Sequence, residues 1–259
     1  MAEVDRIRET TEPHTQLLRV TQEVDNARAY WQRVAIPRAL SAEQETQRAF
    51  AEFWFGTKSM PRVRELVGAF RARFAAYPGA LEALHAWSDI DRSARLLVCH
   101  WHLQLSDPVY RRFTGEFLAE RRAAGREDVS RGPVIRWMND VDVDERWSPA
   151  TRAGFASKLL SAAHTAGLVA STRDPRALAL PRVSTGALGY LMYLLRSVEF
   201  EGSLHANPYL RSVGLEGSAV DDKLRLVAGF SYQRIGDVSD FTWNYESLAD
   251  WVRHTRAAA

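Results

Sequence analysis

Apolar residues along this chain recur mainly three to four positions apart, and strand-like runs are short and few. The spacing predicts a helix over 22–34. A second begins at Ser41, where Ser41 and Gln44 have the spacing of a capping box and Phe50, Phe53 and Trp54 supply the apolar face. Gly56 closes that helix and Pro61 opens the next, with Val63, Leu66, Val67, Phe70 and Phe74 on one side. Helices follow over 79–87, 91–105 and 108–124, so residues 20–125 read as a helical block with short connections. The polar stretch 125–128 is the softest point of the pattern.

Beyond it the pattern changes. A helix over 132–141 precedes a strongly marked one over 148–166. Ser148 can cap the free N–H groups there, and Pro149 is pre-set for the first helical position. Phe155, Leu159, Leu160, Ala163 and Ala166 form its buried stripe, and Gly167 ends it. Residues 168–170 and 177–180 are short strand candidates around the turn 171–176, which contains Asp174-Pro175, and Pro181 ends the second. The remainder predicts helices over 184–198, 218–230 and 245–256, a polar stretch near 201–207, and a strand pair over 231–242 turning at Gly236-Asp237. The expected fold is mainly α: a polar amino-terminal extension with one helix (1–40), a helical bundle (41–128), a winged helix-turn-helix-like unit (129–183), and a helical region with a second hairpin that could form a second winged unit (184–259).

Charge sharpens this picture locally. The chain of 259 residues has a formal net charge of only +2. Between Arg146 and Arg182, however, six basic side chains stand against Asp174 alone. A capped helix with a basic face leading into a basic hairpin is suited to double-stranded DNA. Arg146, Ser148, Thr151, Arg152, Lys158, Arg173, Arg176 and Arg182 are the expected DNA-binding residues. Arg152 and Lys158 would reach from the helix, Ser148 and Thr151 would donate near its positive end, and the other arginines would meet phosphates. Two further basic stretches, 58–73 and 111–126, could line the same surface.

Other chemistry is less well supported. The run 139–145 places Asp140, Asp142, Asp144 and Glu145 close together, but it lacks the glycine and distal glutamate of an EF-hand loop and reads as an acidic linker before a helix N-terminus. Cys99, His100 and His102 do not converge on a helix and read as core and ordinary histidines. No phosphate loop, serine elbow or kinase signature is present. No cofactor, metal site or enzymatic activity is expected. The lone cysteine, the absence of a long apolar run and the polar start MAEVDRIRETTEPHTQ lead to the expectation of a cytoplasmic protein without a membrane span.

Three stretches taken in order, LLVCHWHLQLSDPVYRRFTGEFL at 96–118, WSPATRAGFASKLLSAAHTAGLV at 147–169 and LPRVSTGALGYLMYLLRSVEFEG at 180–202, resemble the BrxA family of bacteriophage-exclusion (BREX) defence proteins. The resemblance extends over roughly residues 45–235. It implies a helical protein in which an antitermination-factor-like bundle is joined to winged elements and binds double-stranded DNA. It also implies that catalysis belongs to separate proteins of the same system, among them a methyltransferase, an ATPase and a phosphatase-like component. The residues before Ser41 and the end WNYESLADWVRHTR fall outside it. Two other roles fit the same pattern: an adaptor docking other components of the defence complex, and an autonomous winged-helix transcriptional regulator. A metal-dependent nuclease built on the 140–145 carboxylates is a more distant reading.

Overall fold

The computed structural model describes residues 7–142, 144–236 and 238–256; Asp237 of the second turn lies outside them. The described chain is mainly helical, with a few short strands in small two-stranded sheets. No described helix is long and apolar enough to cross a membrane.

The amino-terminal segment is the first departure from expectation. Residues 7–21 are polar by composition, yet they form β1 (Ile7–Arg8) and α1 (Gln16–Arg19), and Leu17 and Val20 lie in the core. Buried polar groups fix them there. The Arg73 guanidinium, pushed down to about 10 by burial, donates to the Val20 carbonyl at 2.6 Å. Arg111 donates to the Thr10 carbonyl at 2.8 Å and faces the buried Glu9 carboxylate at 3.4 Å, which also accepts from the Tyr209 hydroxyl. Backbone carbonyls that leave water need donors, and these arginines supply them.

Next come α2 (Val24–Arg33), α3 (Ala42–Ala51) and α4 (Met60–Phe70), the last running into a wider π-helical turn at Arg71–Ala75. The capping box at the start of α3 is present in both directions. α5 (Ala80–Ala86) and α6 (Arg92–Ser106) follow, and α6 is buried nearly all round. The expected helix over 108–124 is divided into α7 (Pro108–Arg112), a π-helical turn at Phe113–Phe117, and α8 (Leu118–Ala123).

The polar stretch 125–128 then leads into a strand, β2 (Asp128–Val129), with Val129 fully buried. It is followed by α9 (Arg131–Val141), α10 (Pro149–Thr165) and β3 (Arg176–Ala177), and β2 pairs antiparallel with β3. The last third holds α11 (Thr185–Leu195), β4 (Val198–Glu199), α12 (Pro208–Ser212) and α13 (Ser218–Leu224). It ends with β5 (Phe230–Ile235), β6 (Val238–Trp243) and α14 (Leu248–Arg256). β4 pairs parallel with β1, so the amino-terminal strand is held by the last third of the chain. α13 stops six residues short of the expected end at 230. The chain must turn there into β5, and Gly229 at φ 105° makes that turn.

Buried apolar side chains form one continuous cluster from Leu17 to Val252. It crosses the expected divisions at 40, 128 and 183. The carboxy-terminal helix is part of it, because Trp251 packs on Tyr193 and Trp87. A Cβ added at Gly189 would run into Trp251, so the glycine is what lets α11 and α14 approach.

Candidate nucleic-acid interface

The joint between α9 and α10 is built on Asp142. Its buried carboxylate accepts the backbone N–H groups of Arg146 at 3.0 Å and Trp147 at 2.9 Å, which turns the chain. Trp147 then lies on Phe155, with ring centroids 4.6 Å apart, and sets the angle at which α10 begins. Ser148 caps α10 by accepting from Thr151 N–H at 3.2 Å. At the other end Gly167, at φ 76°, stops the helix, and Pro181 lies against it.

The segment 168–179 returns as a hairpin. The expected strands contract to β3 and a bridge between Val169 and Leu178, held by Ala170 N–H to the Ala177 carbonyl at 2.8 Å. Leu178 N–H also reaches the Glu127 carbonyl at 2.8 Å, so the hairpin leans on β2. Strand, helix, helix and hairpin therefore pack as one piece.

Arg131, absent from the expected residues, locks this piece. Its backbone N–H donates to Asp174 Oδ2 at 2.7 Å, while its guanidinium donates to Ser157 Oγ at 2.9 Å and the Ala153 carbonyl at 3.1 Å. The Arg131 N–H, followed by Arg176, holds the Asp174 carboxyl below the usual range. The loop tip is thereby pinned against α10 beside Ser157 and Lys158. The sequence carries one sign of this role: Arg131 sits where α9 begins, one residue ahead of Gly132.

The eight expected residues divide sharply. Lys158, Arg173 and Arg182 are exposed, and their side chains have no hydrogen bond or ion pair among the described residues. Arg146 is exposed and 3.8 Å from Asp144, a weak surface pair. Ser148 is occupied by its capping role and shares its hydroxyl with the Thr151 hydroxyl at 3.0 Å. Arg152 and Arg176 depart from the expectation of free phosphate contacts. Arg152 is largely covered and lies 3.6 Å from Asp142, compensating the buried charge that holds the joint. Arg176 is turned onto Asp174 at 2.9 Å.

Nor do the two other basic stretches form an open positive surface. Arg62 pairs with Glu23 and Glu65, Arg64 with Glu43, and Arg71 with the buried Glu45. Arg112 pairs with Glu116, and Arg121 and Arg122 donate to the Asp128 and Ser212 carbonyls. Of these stretches, Arg126 stands exposed with no side-chain partner among the described residues. Arg136 of α9 adds another such cation near the candidate interface.

One flank of α10 is occupied by the amino-terminal segment. Leu18 of α1 lies 3.6 Å from where a Cβ at Gly154 would stand, and Gln22 donates to the Ala162 carbonyl at 3.1 Å. The accessible face is made of Ala150, Ser157, Lys158 and Ser161. It is narrow and lined mostly by small side chains.

The remaining candidates for chemistry take structural roles. His100 bonds the Tyr110 hydroxyl at 2.8 Å and Ser212 Oγ at 2.9 Å, and His102 bonds the Arg73 carbonyl at 2.6 Å and the Tyr190 hydroxyl at 2.8 Å. Burial lowers both imidazoles to about 3 and pushes the Cys99 thiol up to about 12. Asp140, Asp144 and Glu145 point to solvent while Asp142 is buried, and no group of three metal-ligating side chains converges among the described residues.

No protein-family model and no curated protein matches this chain.

Proposed function

We propose that the chain is a non-catalytic double-stranded DNA-binding protein that grips the duplex through a winged-helix unit spanning 128–182. The observation that carries this reading is the trio Lys158, Arg173 and Arg182: positive, exposed, and without a side-chain partner among the described residues, on a helix and hairpin that Arg131 holds in fixed relation. Small residues along α10 allow the helix to lie close to a groove, and the hairpin loop would rest on flanking phosphates. Ala150, Ser157 and Ser161 offer little to base edges, so sequence preference should be low. The order of stretches that resembles the BrxA family supports an accessory role in a BREX-type defence system, with other proteins of that system as partners.

A salt-titrated comparison of duplex, single-stranded DNA and RNA of equal length tests the proposal. Three neutralised phosphates give a log–log salt slope of about −2.7, a loss of about 40-fold between about 50 and 200 mM salt. Arg173→Ala/Arg182→Ala should reduce the slope to about −0.9. Affinity that is flat in salt, or equal for the three nucleic acids, would remove the proposal.

A further inference from the structure

The carboxy-terminal third repeats the order helix, strand, helix, helix, hairpin, but with opposite chemistry. Residues 218–250 carry six acidic side chains against three basic ones. All three basic ones are occupied: Lys223 donates to the Val183 carbonyl at 2.9 Å, Arg225 lies 3.0 Å from Asp222 and Arg234 lies 3.4 Å from Asp221. The inner face of the β5–β6 hairpin packs through Phe230, Tyr232 and Trp243. Its outer face is exposed. Ile235 and Val238, directly opposite each other in register, are 83% and 73% exposed, with Asp240 exposed behind them.

Ser239 of β6 bonds His205 Nδ1 at 2.9 Å, which fastens this apolar tip to the rim of a groove of about 670 Å³. Glu116, Glu120, Glu201 and Glu216 line that groove together with Arg211; Glu216 pairs with Arg211 and Glu116 with Arg112, while the exposed Glu120 and Glu201 carboxylates have no side-chain partner among the described residues. An acidic surface with an apolar lip repels nucleic acid and suits a basic protein segment with an apolar anchor. The chain itself carries such a segment. Leu180, 53% exposed with one side of its side chain against Gly214, lies between Arg173 and Arg182 in the sequence.

We propose that the outer face of the β5–β6 hairpin and the adjoining acidic groove seat the 173–182 face of a second copy of this chain. Ile235 and Val238 meet Leu180 of the second copy, while Glu120 and Glu201 face its Arg173 and Arg182. The two surfaces differ, so the contact is head-to-tail, and the assembly keeps one unused surface of each kind, one at either end. The inference stands apart from DNA binding, but the two meet at Arg173 and Arg182: a copy seated on its neighbour cannot use them on phosphates.

Sedimentation of the full chain without nucleic acid tests this. Self-association should grow with protein concentration at about 50 mM salt and disappear at about 500 mM, where screening is strong. Glu120→Lys/Glu201→Lys and Arg173→Glu/Arg182→Glu change exposed positions, and unchanged melting curves check that both variants fold. Each variant alone should be monomeric, and their mixture should associate again, because the reversed groove meets the reversed face and the two native surfaces still fit each other. A wild-type chain that stays monomeric at low salt, variants that still self-associate, or a mixture that does not pair would each overturn the proposal. The groove variant should still bind duplex in all these cases, so failure here is distinct from failure of the DNA reading.

Discussion

His100 and His102 stand two residues apart on α6, and each ring has both nitrogens bonded inside the core. Burial holds them neutral down to about pH 3, whereas an unfolded chain protonates them near 6.5. Their contribution to stability is therefore full above about pH 6.5 and is lost as pH falls toward about 3, at about 1.4 kcal/mol per pH unit for each histidine. Melting curves across that window should show the loss, and His102→Gln should make the dependence shallower. The arginines are separable in the same way. Arg152→Ala leaves the buried Asp142 carboxylate without its cation and should cost about 1–3 kcal/mol, whereas Arg173→Ala should alter stability by no more than about 0.5 kcal/mol. Thermal melts of the two variants distinguish the joint-holding arginine from the exposed one. Both are arginines in a basic stretch; only the position of Asp142 tells them apart.

At the scale of elements, helix caps were the most legible feature. Ser41 and Ser148 cap α3 and α10 through side-chain oxygens that accept the N–H three residues on. Such contacts are local, so residue type and spacing are enough to place them. Short strands were not legible. β2 has two residues in a stretch that reads as a polar connection, and its partner β3 lies almost fifty residues on. The glycines of two helices show how far helix-level reasoning extends. Gly68 of α4 has open space around it, so Gly68→Ala should raise stability by about 1 kcal/mol through helix propensity. Gly189 of α11 faces the Trp251 ring, so Gly189→Val should lower it by about 2–3 kcal/mol through overpacking. Denaturant midpoints of the two variants should move in opposite directions.

Over the whole molecule, a near-neutral total conceals a division of charge between a basic element at 146–182 and an acidic one at 218–250. A single apolar core runs through the molecule from the first helix to the last. Unfolding should therefore be one transition, with tryptophan fluorescence and far-ultraviolet circular dichroism changing together. Two separated transitions would show that the core divides. Removal of residues 1–20 should lower the melting temperature substantially, because Arg73, Arg111 and Tyr209 would each lose a buried partner.

The helical character, most helix starts, and the location of the basic helix and hairpin followed from the sequence alone. These depend on spacing and capping within a few residues. The fate of each charge did not. Whether an arginine faces solvent, closes a joint or props up a buried carbonyl depends on which carboxylate or carbonyl the fold delivers from tens of residues away. Periodicity along the chain carries no record of that. The tertiary structure thus reduced eight expected contacts to an uncommitted core of Lys158, Arg173 and Arg182, and it buried Glu9, Leu17, Val20 and Gln22 of a segment that is polar by composition.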